Sequence, residues 1–293
     1  MSRIEVLKTY KIYIGGQFPR TESGRFYQPK VNKKAIANMC QSSRKDFRNA
    51  VVAARKAQGG WANKTTYNRS QILYRIAEVL EGRKAQFVEE LMLQGTTENA
   101  AKEEVNLSID RMIYYAGWCD KFVQLYSTVN PVSGSYFNFS VPEPTGVVAV
   151  FAPEQSGLLG LVTQVCSIIA GGNACVVLAS ESKPLCAITF AEVMATSDVP
   201  GGVVNILTGN RAELLTFFAS HMDVNTTLYC GDDKAAIKTI QEIAVESMKR
   251  VRVREDGDYF DAKHENPYYI FDFQETKTTW HPIEKIAGAG SGY

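Results

Sequence analysis

Residues 146–151 are Gly-Val-Val-Ala-Val-Phe, and residues 174–178 are Ala-Cys-Val-Val-Leu. Both contain continuous apolar runs, which are typical of parallel strands covered by helices on both faces. Two further runs, at residues 203–207 and 224–229, continue the series. Helices are predicted between and after these runs, at residues 158–169, 185–194, 211–220 and 234–248. Because strand and helix alternate four times, the sequence predicts an α/β fold with a Rossmann-like, doubly wound parallel sheet.

The segment before this region predicts a layer of helices. A short strand at residues 10–14 runs into the turn Gly15-Gly16. Ser43 precedes apolar residues at helical spacing that end at Gly59-Gly60, and Asn68 is placed to cap a second helix. Further helices are predicted at residues 85–93 and 98–125. The first 125 residues are therefore expected to be mostly helical.

Two segments outside the alternating region predict strands suited to pairing with another chain. Residues 136–141 alternate apolar and polar within an arm at residues 131–143. In the tail, residues 268–273 and 278–280 predict strands, and Trp280 adds a large aromatic side chain of the kind that concentrates interface energy. Exposed apolar edge strands seldom persist unpaired. We therefore expect an oligomerisation arm and a tail strand.

Composition and charge exclude several classes of protein. The chain has 293 residues, with 32 Lys and Arg against 31 Asp and Glu, so no net field attracts nucleic acid or anionic lipid. No stretch approaches the ~20 apolar residues of a membrane helix, and the N-terminus lacks the apolar core of a signal peptide. The six cysteines form no Cys-x-x-Cys pair, which argues against a zinc site or disulfide framework. The expected compartment is the cytoplasm, with reduced thiols.

Several motifs resemble the aldehyde dehydrogenase superfamily in order and spacing. They cover roughly residues 10 to 250. They are Tyr13-Ile14-Gly15-Gly16, Asp46 to Ala54, Asn68-Arg69-x-x-Ile72-Leu73, Pro144-Thr145-Gly146-Val147-Val148, Ala170-Gly171-Gly172-Asn173-Ala174, Pro200-Gly201-Gly202-Val203-Val204-Asn205-Ile206 and His221-x-x-Val224. The resemblance implies a cofactor-type domain at residues 10–255 and a tail at 256–293.

The resemblance fails at the positions that carry chemistry in that family. Where the family has an oxyanion-stabilising Asn within Pro-Trp-Asn-Phe-Pro, this chain has Gln155, beside Glu154. The family's ribose-binding Lys-Pro-x-Glu is replaced by Ala179-Ser180-Glu181. The Phe-Thr-Gly-Ser that meets the pyrophosphate is replaced by Tyr229-Cys230-Gly231-Asp232, with Asp233 following. Aspartates there would repel a phosphate, so the cofactor site is expected to be degenerate.

The family's catalytic parts are expected to be missing. No Glu-Leu-Gly-Gly-Lys motif supplies a general base, and the residues after Lys249 are too few for the domain that carries the nucleophilic cysteine. This pattern is most similar to the C-terminal module of the two-module family 16 aldehyde dehydrogenases, which is regarded as lacking that cysteine. The resemblance therefore implies that this chain does not oxidise aldehydes. We assign no catalytic, cofactor-binding or metal-binding residues from the sequence.

The individual candidates have plain structural interpretations. Cys166 and Cys175 lie in apolar contexts that predict packing, whereas a reactive thiol is conceivable at Cys230. Glu154 and Glu181 are either an acid/base pair or, as we expect, loop residues. The scattered histidines, expected to be on the surface or hydrogen-bonded, are His221, His264 and His281.

Three functions remain open. The first is a non-catalytic module that supports an active aldehyde dehydrogenase by strand pairing, with a second copy or a catalytic module as partner. The second is an NAD(P)-dependent aldehyde oxidoreductase with residual or partner-assisted activity, for which NAD would be the cofactor. The third is a module that binds a small molecule in the Rossmann crevice.

Overall fold

Residues 6–283 are described by the computed structural model. The strands are β1 (Thr9–Tyr10), β2 (Phe26–Tyr27), β3 (Lys30–Val31), β4 (Lys34–Ala35), β5 (Asn38–Cys40), β6 (Thr128–Asn130), β7 (Tyr136–Pro144), β8 (Val147–Phe151), β9 (Ala174–Leu178), β10 (Val204–Leu207), β11 (Thr226–Cys230), β12 (Arg250–Arg254) and β13 (Gln274–Pro282). The α-helices are α1 (Arg44–Ala62), α2 (Thr66–Gly82), α3 (Lys84–Leu93), α4 (Glu98–Trp118), α5 (Phe122–Tyr126), α6 (Leu159–Ala170), α7 (Leu185–Ala195), α8 (Arg211–Ser220), α9 (Lys234–Ala244) and α10 (Tyr268–Phe271).

The main sheet is parallel and doubly wound, as the sequence predicts. Its order is β10-β9-β8-β11-β12, so the chain starts in the middle, runs to one edge, and returns to build the other half. The fifth strand, β12, was not predicted. Its sequence, Arg-Val-Arg-Val-Arg, alternates instead of forming an apolar run, because an edge strand is only half covered.

The apolar runs are explained by helices on both faces of this sheet. Along β8, Val148 and Val150 join a core cluster with α2, α3, α4, α6 and α7. Val147, Ala149 and Phe151 point the other way, into a second cluster with α1, α8 and α9. Every residue of β8 and β9 is therefore buried, which requires the continuous hydrophobicity seen in the sequence.

The N-terminal helical layer is confirmed, with different boundaries. Ser43 caps α1, as predicted, and the structure adds a capping box with Asp46, but the helix continues through the glycines at 59 and 60 to Ala62. Thr65, not Asn68, caps α2, because the Asn68 N–H donates to the Thr65 hydroxyl. The long helix predicted at 98–125 is divided into α4 and α5.

The arm and the tail pair with each other in one sheet, here called the arm sheet. Its order is β13-β7-β6, and β13 and β7 are antiparallel from Gln274 opposite Pro144 to Pro282 opposite Tyr136. The predicted strand at 278–280 is thus confirmed within β13. The strand predicted at 268–273 is wrong, because residues 268–271 form α10.

Residues 1–5 and 284–293 lie outside the described residues. The end of the tail predicted at 256–293 therefore lies outside them as well. No helix within 6–283 is both long and apolar enough to cross a membrane.

Candidate functional site

The carboxyl ends of β8 and β11 meet where the strand order reverses, which is where open α/β sheets bind ligands. The side chain of Arg211, the first residue of α8, lies across this point. Its guanidinium donates to the carbonyl of Ala152, just after β8, and to that of Cys230, which ends β11, at 3.0 Å. It also lies 5.5 Å from the ring centre of Tyr229. Only 18% of the side chain is exposed, so the centre of the crevice is filled by the protein itself.

The Glu154 carboxylate ties the loop after β8 to the loop after β9. It accepts hydrogen bonds from the N–H groups of Ser182 (2.7 Å) and Glu181 (3.1 Å) and lies 3.4 Å from Nη2 of Arg211. Burial raises the pKa of Glu154, but these hydrogen bonds and the Arg211 charge together bring that pKa below its ordinary value. Glu154 is therefore an ionised structural group at neutral pH.

Glu181 has a separate role beside it. Its carboxylate accepts from the Asn210 side chain (3.1 Å) and the Arg211 backbone N–H (3.3 Å). Glu154 and Glu181 therefore hold the loops after β8 and β9 and the start of α8 in place. This agrees with their interpretation from the sequence as loop residues and not as an acid/base pair.

The loop that carries Gln155 is held by Asp256. The backbone N–H groups of Glu154 and Gln155 donate to Asp256, which follows β12, at 2.8 and 3.2 Å. Burial raises the pKa of Asp256 above its ordinary value. Asp256 therefore fixes the backbone of the loop that carries Gln155, and it places a second carboxyl group beside Glu154, where developing negative charge would be opposed.

The start of α9 is the place where a dinucleotide pyrophosphate would meet helix N–H groups. Asp233 occupies it as the N-cap, accepting from the N–H groups of Ala235 (2.9 Å) and Ala236 (3.2 Å). Asp232 is exposed beside it. Because these donors already hold a carboxylate and Arg211 fills the crevice, the residues present do not fit NAD in the manner of the family.

The cysteines are buried, free thiols. Burial raises the pKa of Cys230 to about 11 and that of Cys119 to about 12. It also raises the pKa values of Cys166, Cys175 and Cys186. Since the thiolate is the nucleophile, these groups are poorly suited to covalent catalysis at neutral pH, including Cys230 at its strand end.

The histidines are dispersed. Burial lowers the pKa values of His221 and His264, and His281 lies exposed in β13. Across residues 6–283, no three His, Cys, Asp or Glu side chains are grouped closely enough to hold a metal ion.

Two residues at the carboxyl edge of the sheet, Arg211 and Asp256, were not identified from the sequence. A weak signal existed for Arg211, which follows the cap residue Asn210 at the start of a predicted helix and so points toward the carboxyl edge of the sheet. Asp256 follows a strand that was not predicted. Neither residue belongs to a motif.

Comparison with known proteins agrees with this architecture. Residues 18–258 match the model described as "Aldehyde dehydrogenase family". A putative aldehyde dehydrogenase, DhaS, from Bacillus subtilis is 31% identical over 85% of the chain and 51% of its own length. The mitochondrial 10-formyltetrahydrofolate dehydrogenase of Mus musculus is 28% identical over 85% of the chain and 28% of its length.

Solved structures give the same result. An aldehyde dehydrogenase from Bacillus cereus, in complex with NAD+, is 26% identical and superposes with a TM-score of 0.80 over 85% of this chain and 51% of its own. The chain thus spans about half or less of the length of these relatives. Because the family match extends over most of the sequence and a solved member superposes on 85% of the chain, the chain belongs to the aldehyde dehydrogenase family.

Proposed function

We propose that the chain is a non-catalytic aldehyde-dehydrogenase-like module with an assembly role, comparable to the C-terminal module of the two-module family 16 enzymes. The observation that carries the proposal is Arg211, whose guanidinium spans the switch point between β8 and β11. A side chain held by two carbonyls and by Glu154 is costly to displace, because each of its charge-assisted hydrogen bonds contributes about 1.5–3 kcal/mol. This argues against both the residual oxidoreductase and a ligand module that uses the same crevice.

The arm sheet supports the assembly role, because it buries polar side chains on one face and exposes a phenylalanine on the other. In β7, Asn138 and Ser140 are buried, and both accept hydrogen bonds from the Asn130 side chain, at 2.6 and 2.9 Å. Phe137 lies on the opposite face with 46% of its surface exposed, next to the Phe139 ring at 5.5 Å between centroids. A sheet that buries its amides and exposes its phenylalanines is expected to have a partner on the phenylalanine face.

The outer edge of the arm sheet supports the same role. Among residues 6–283, β13 pairs with β7 on one side and with no strand on the other, so no described residue covers its second backbone edge, where a further strand would pair. Trp280, in this strand, is 59% exposed and lies edge-on to Tyr136. A second copy of the chain, or an aldehyde dehydrogenase catalytic module, would cover this edge by strand addition.

The test is the mass of the chain in solution, measured by light scattering over a range of concentrations. We expect the unaltered chain to form a dimer or larger assembly and Phe137→Ser to shift it toward the monomer. Phe26→Ser is the matched control, because Phe26 is also an exposed phenylalanine in a strand but lies far from β7 in the chain.

A monomer at high concentration that also fails to associate with a catalytic module would contradict the assembly role. The same preparation, titrated with NAD in a calorimeter and assayed for NADH formation from an aldehyde, tests the alternative. Micromolar NAD binding with turnover would favour the oxidoreductase and overturn the proposal.

A further inference from the structure

A second cavity lies at the opposite end of the sheet from the crevice. α8 runs antiparallel to the strands, so its last residue, Ser220, is near the amino edge, where Asn225 bonds to the start of β8. Between the end of α8 and the start of α1 is a space of about 410 Å³, here called the basic cavity. This volume falls within the usual range for small-molecule sites. Its lining includes Arg44, Arg48, Phe217, Ser220, His221 and Met222.

The lining carries basic groups without a carboxylate. Arg44 and Arg48 are one helical turn apart and therefore project from the same side of α1. Among the described residues, neither guanidinium lies within ion-pair distance of an acidic side chain. Like charges at this spacing oppose each other, and a bound anion would relieve that repulsion.

His221 adds a directed donor. Its Nδ1 accepts a hydrogen bond from the Asp223 N–H at 3.3 Å, which leaves the proton of the neutral ring on Nε2. The Lys249 ammonium lies behind it, bound to the carbonyls of Ala219 (2.6 Å) and His221 (2.8 Å). Asp223 is the acidic neighbour of His221, so positive charge predominates around the cavity.

The walls of the cavity are partly apolar. The Arg44 guanidinium lies 5.4 Å from the ring centre of Phe217, and the Met222 side chain is 85% exposed at the rim. An arginine stacked on an aromatic ring keeps its outer N–H groups free in a planar fork, which matches phosphate oxygens. The ring and the methionine offer contact to an apolar part of the same ligand.

We propose that the basic cavity binds a phosphorylated small molecule that carries an aromatic group. Arg44 and Arg48 hold the phosphate, His221 donates to it from Nε2, and the ring lies against Phe217 and Met222. This site is separate from the degenerate cofactor crevice, and no part of the assembly proposal depends on it.

The test is calorimetry of the full chain at low salt with phenyl phosphate, inorganic phosphate and phenol as probes. We expect saturable binding of phenyl phosphate, weaker binding of inorganic phosphate, and no measurable binding of phenol. In the double variant Arg44→Gln/Arg48→Gln, affinity for phenyl phosphate should fall by about tenfold or more, since the loss of one charge-assisted hydrogen bond is sufficient for that effect.

The matched control is Arg75→Gln, which removes an exposed arginine from α2 and leaves the cavity intact. It should bind phenyl phosphate as the unaltered chain does, and all variants should melt at similar temperatures. Equal affinity in the double variant, or no saturable binding to the unaltered chain, would overturn the proposal. Equal affinity for phenyl phosphate and inorganic phosphate would overturn the aromatic part of it.

Discussion

Arg211 has taken over a position that a bound ligand normally occupies in this type of sheet. The carbonyls at the ends of β8 and β11 face the crevice and need donors, which a substrate, a cofactor or water can supply. Here a guanidinium supplies them permanently and is in turn neutralised by Glu154. A single side chain thus joins the ends of two neighbouring strands to the start of α8.

Replacement of Arg211 tests this role. We expect Arg211→Ala to lower the free energy of unfolding by about 1.5–3 kcal/mol or more, because buried carbonyls and the Glu154 carboxylate lose a charged donor. Arg25→Ala is the comparison, since Arg25 also pairs with a glutamate, Glu213, but at the surface, where solvent screens the pair. Urea unfolding of both variants is the measurement, and equal losses would contradict the structural role of Arg211.

At the scale of elements, α10 shows how one pattern supports two structures. Residues 268–273 are Tyr-Tyr-Ile-Phe-Asp-Phe, and a strand would place Tyr269, Phe271 and Phe273 on one buried face. Within the short helix and the turn after it, Ile270 and Phe273 are buried instead, while Phe271 is only half-buried against Tyr126. The aromatic content of residues 268–273 favours a strand, but packing against the end of α6 stabilises a helix.

The helical and the strand conformations of residues 268–271 predict different effects of substitution. Ile270→Ala should lower the free energy of unfolding by about 2–5 kcal/mol, as is typical for emptying a buried site, and Phe271→Ala should cost less. A strand would give the reverse order, because Phe271 would then be buried and Ile270 would face outward. Chemical denaturation of the two variants distinguishes the alternatives.

On the scale of the whole molecule, cysteines are buried in both hydrophobic clusters that cover the main sheet. Cys175 is buried in the cluster on one face of the main sheet, and Cys40 in the cluster on the other. No cysteine within residues 6–283 lies at an open surface, since all six are buried. This distribution is that of packing residues, which require a protonated, apolar thiol.

Thiol titration measures this arrangement directly. In the native chain, a thiol reagent such as Ellman's should modify few or none of the six cysteines within minutes, because each is shielded and those with raised pKa values are protonated. In guanidinium chloride all six should react. Rapid native modification of Cys230, removed by Cys230→Ala, would instead indicate a reactive thiol beside the crevice.

Local patterns were sufficient for the framework of the molecule. The apolar runs at β8 and β9 predict a sheet covered on both faces, and Ser43 before apolar residues at helical spacing predicts the start of α1, because each pattern depends on neighbours in sequence. The departures at Glu154, Ala179 and Asp233 likewise indicated an altered crevice from the sequence, since charge and side-chain length are properties of the residue itself.

Only the tertiary structure decided which residues meet at the carboxyl edge of the main sheet and how the strands of the arm sheet pair. Arg211 reaches carbonyls 59 and 19 residues away, and β7 finds its partner β13 more than a hundred residues later. No local pattern encodes such pairings, because a strand's alternation specifies its two faces but not its partner. The sequence therefore determined the elements and the residues that depart from the family's motifs, whereas long-range packing determined that arm and tail join in one sheet with Phe137 outward.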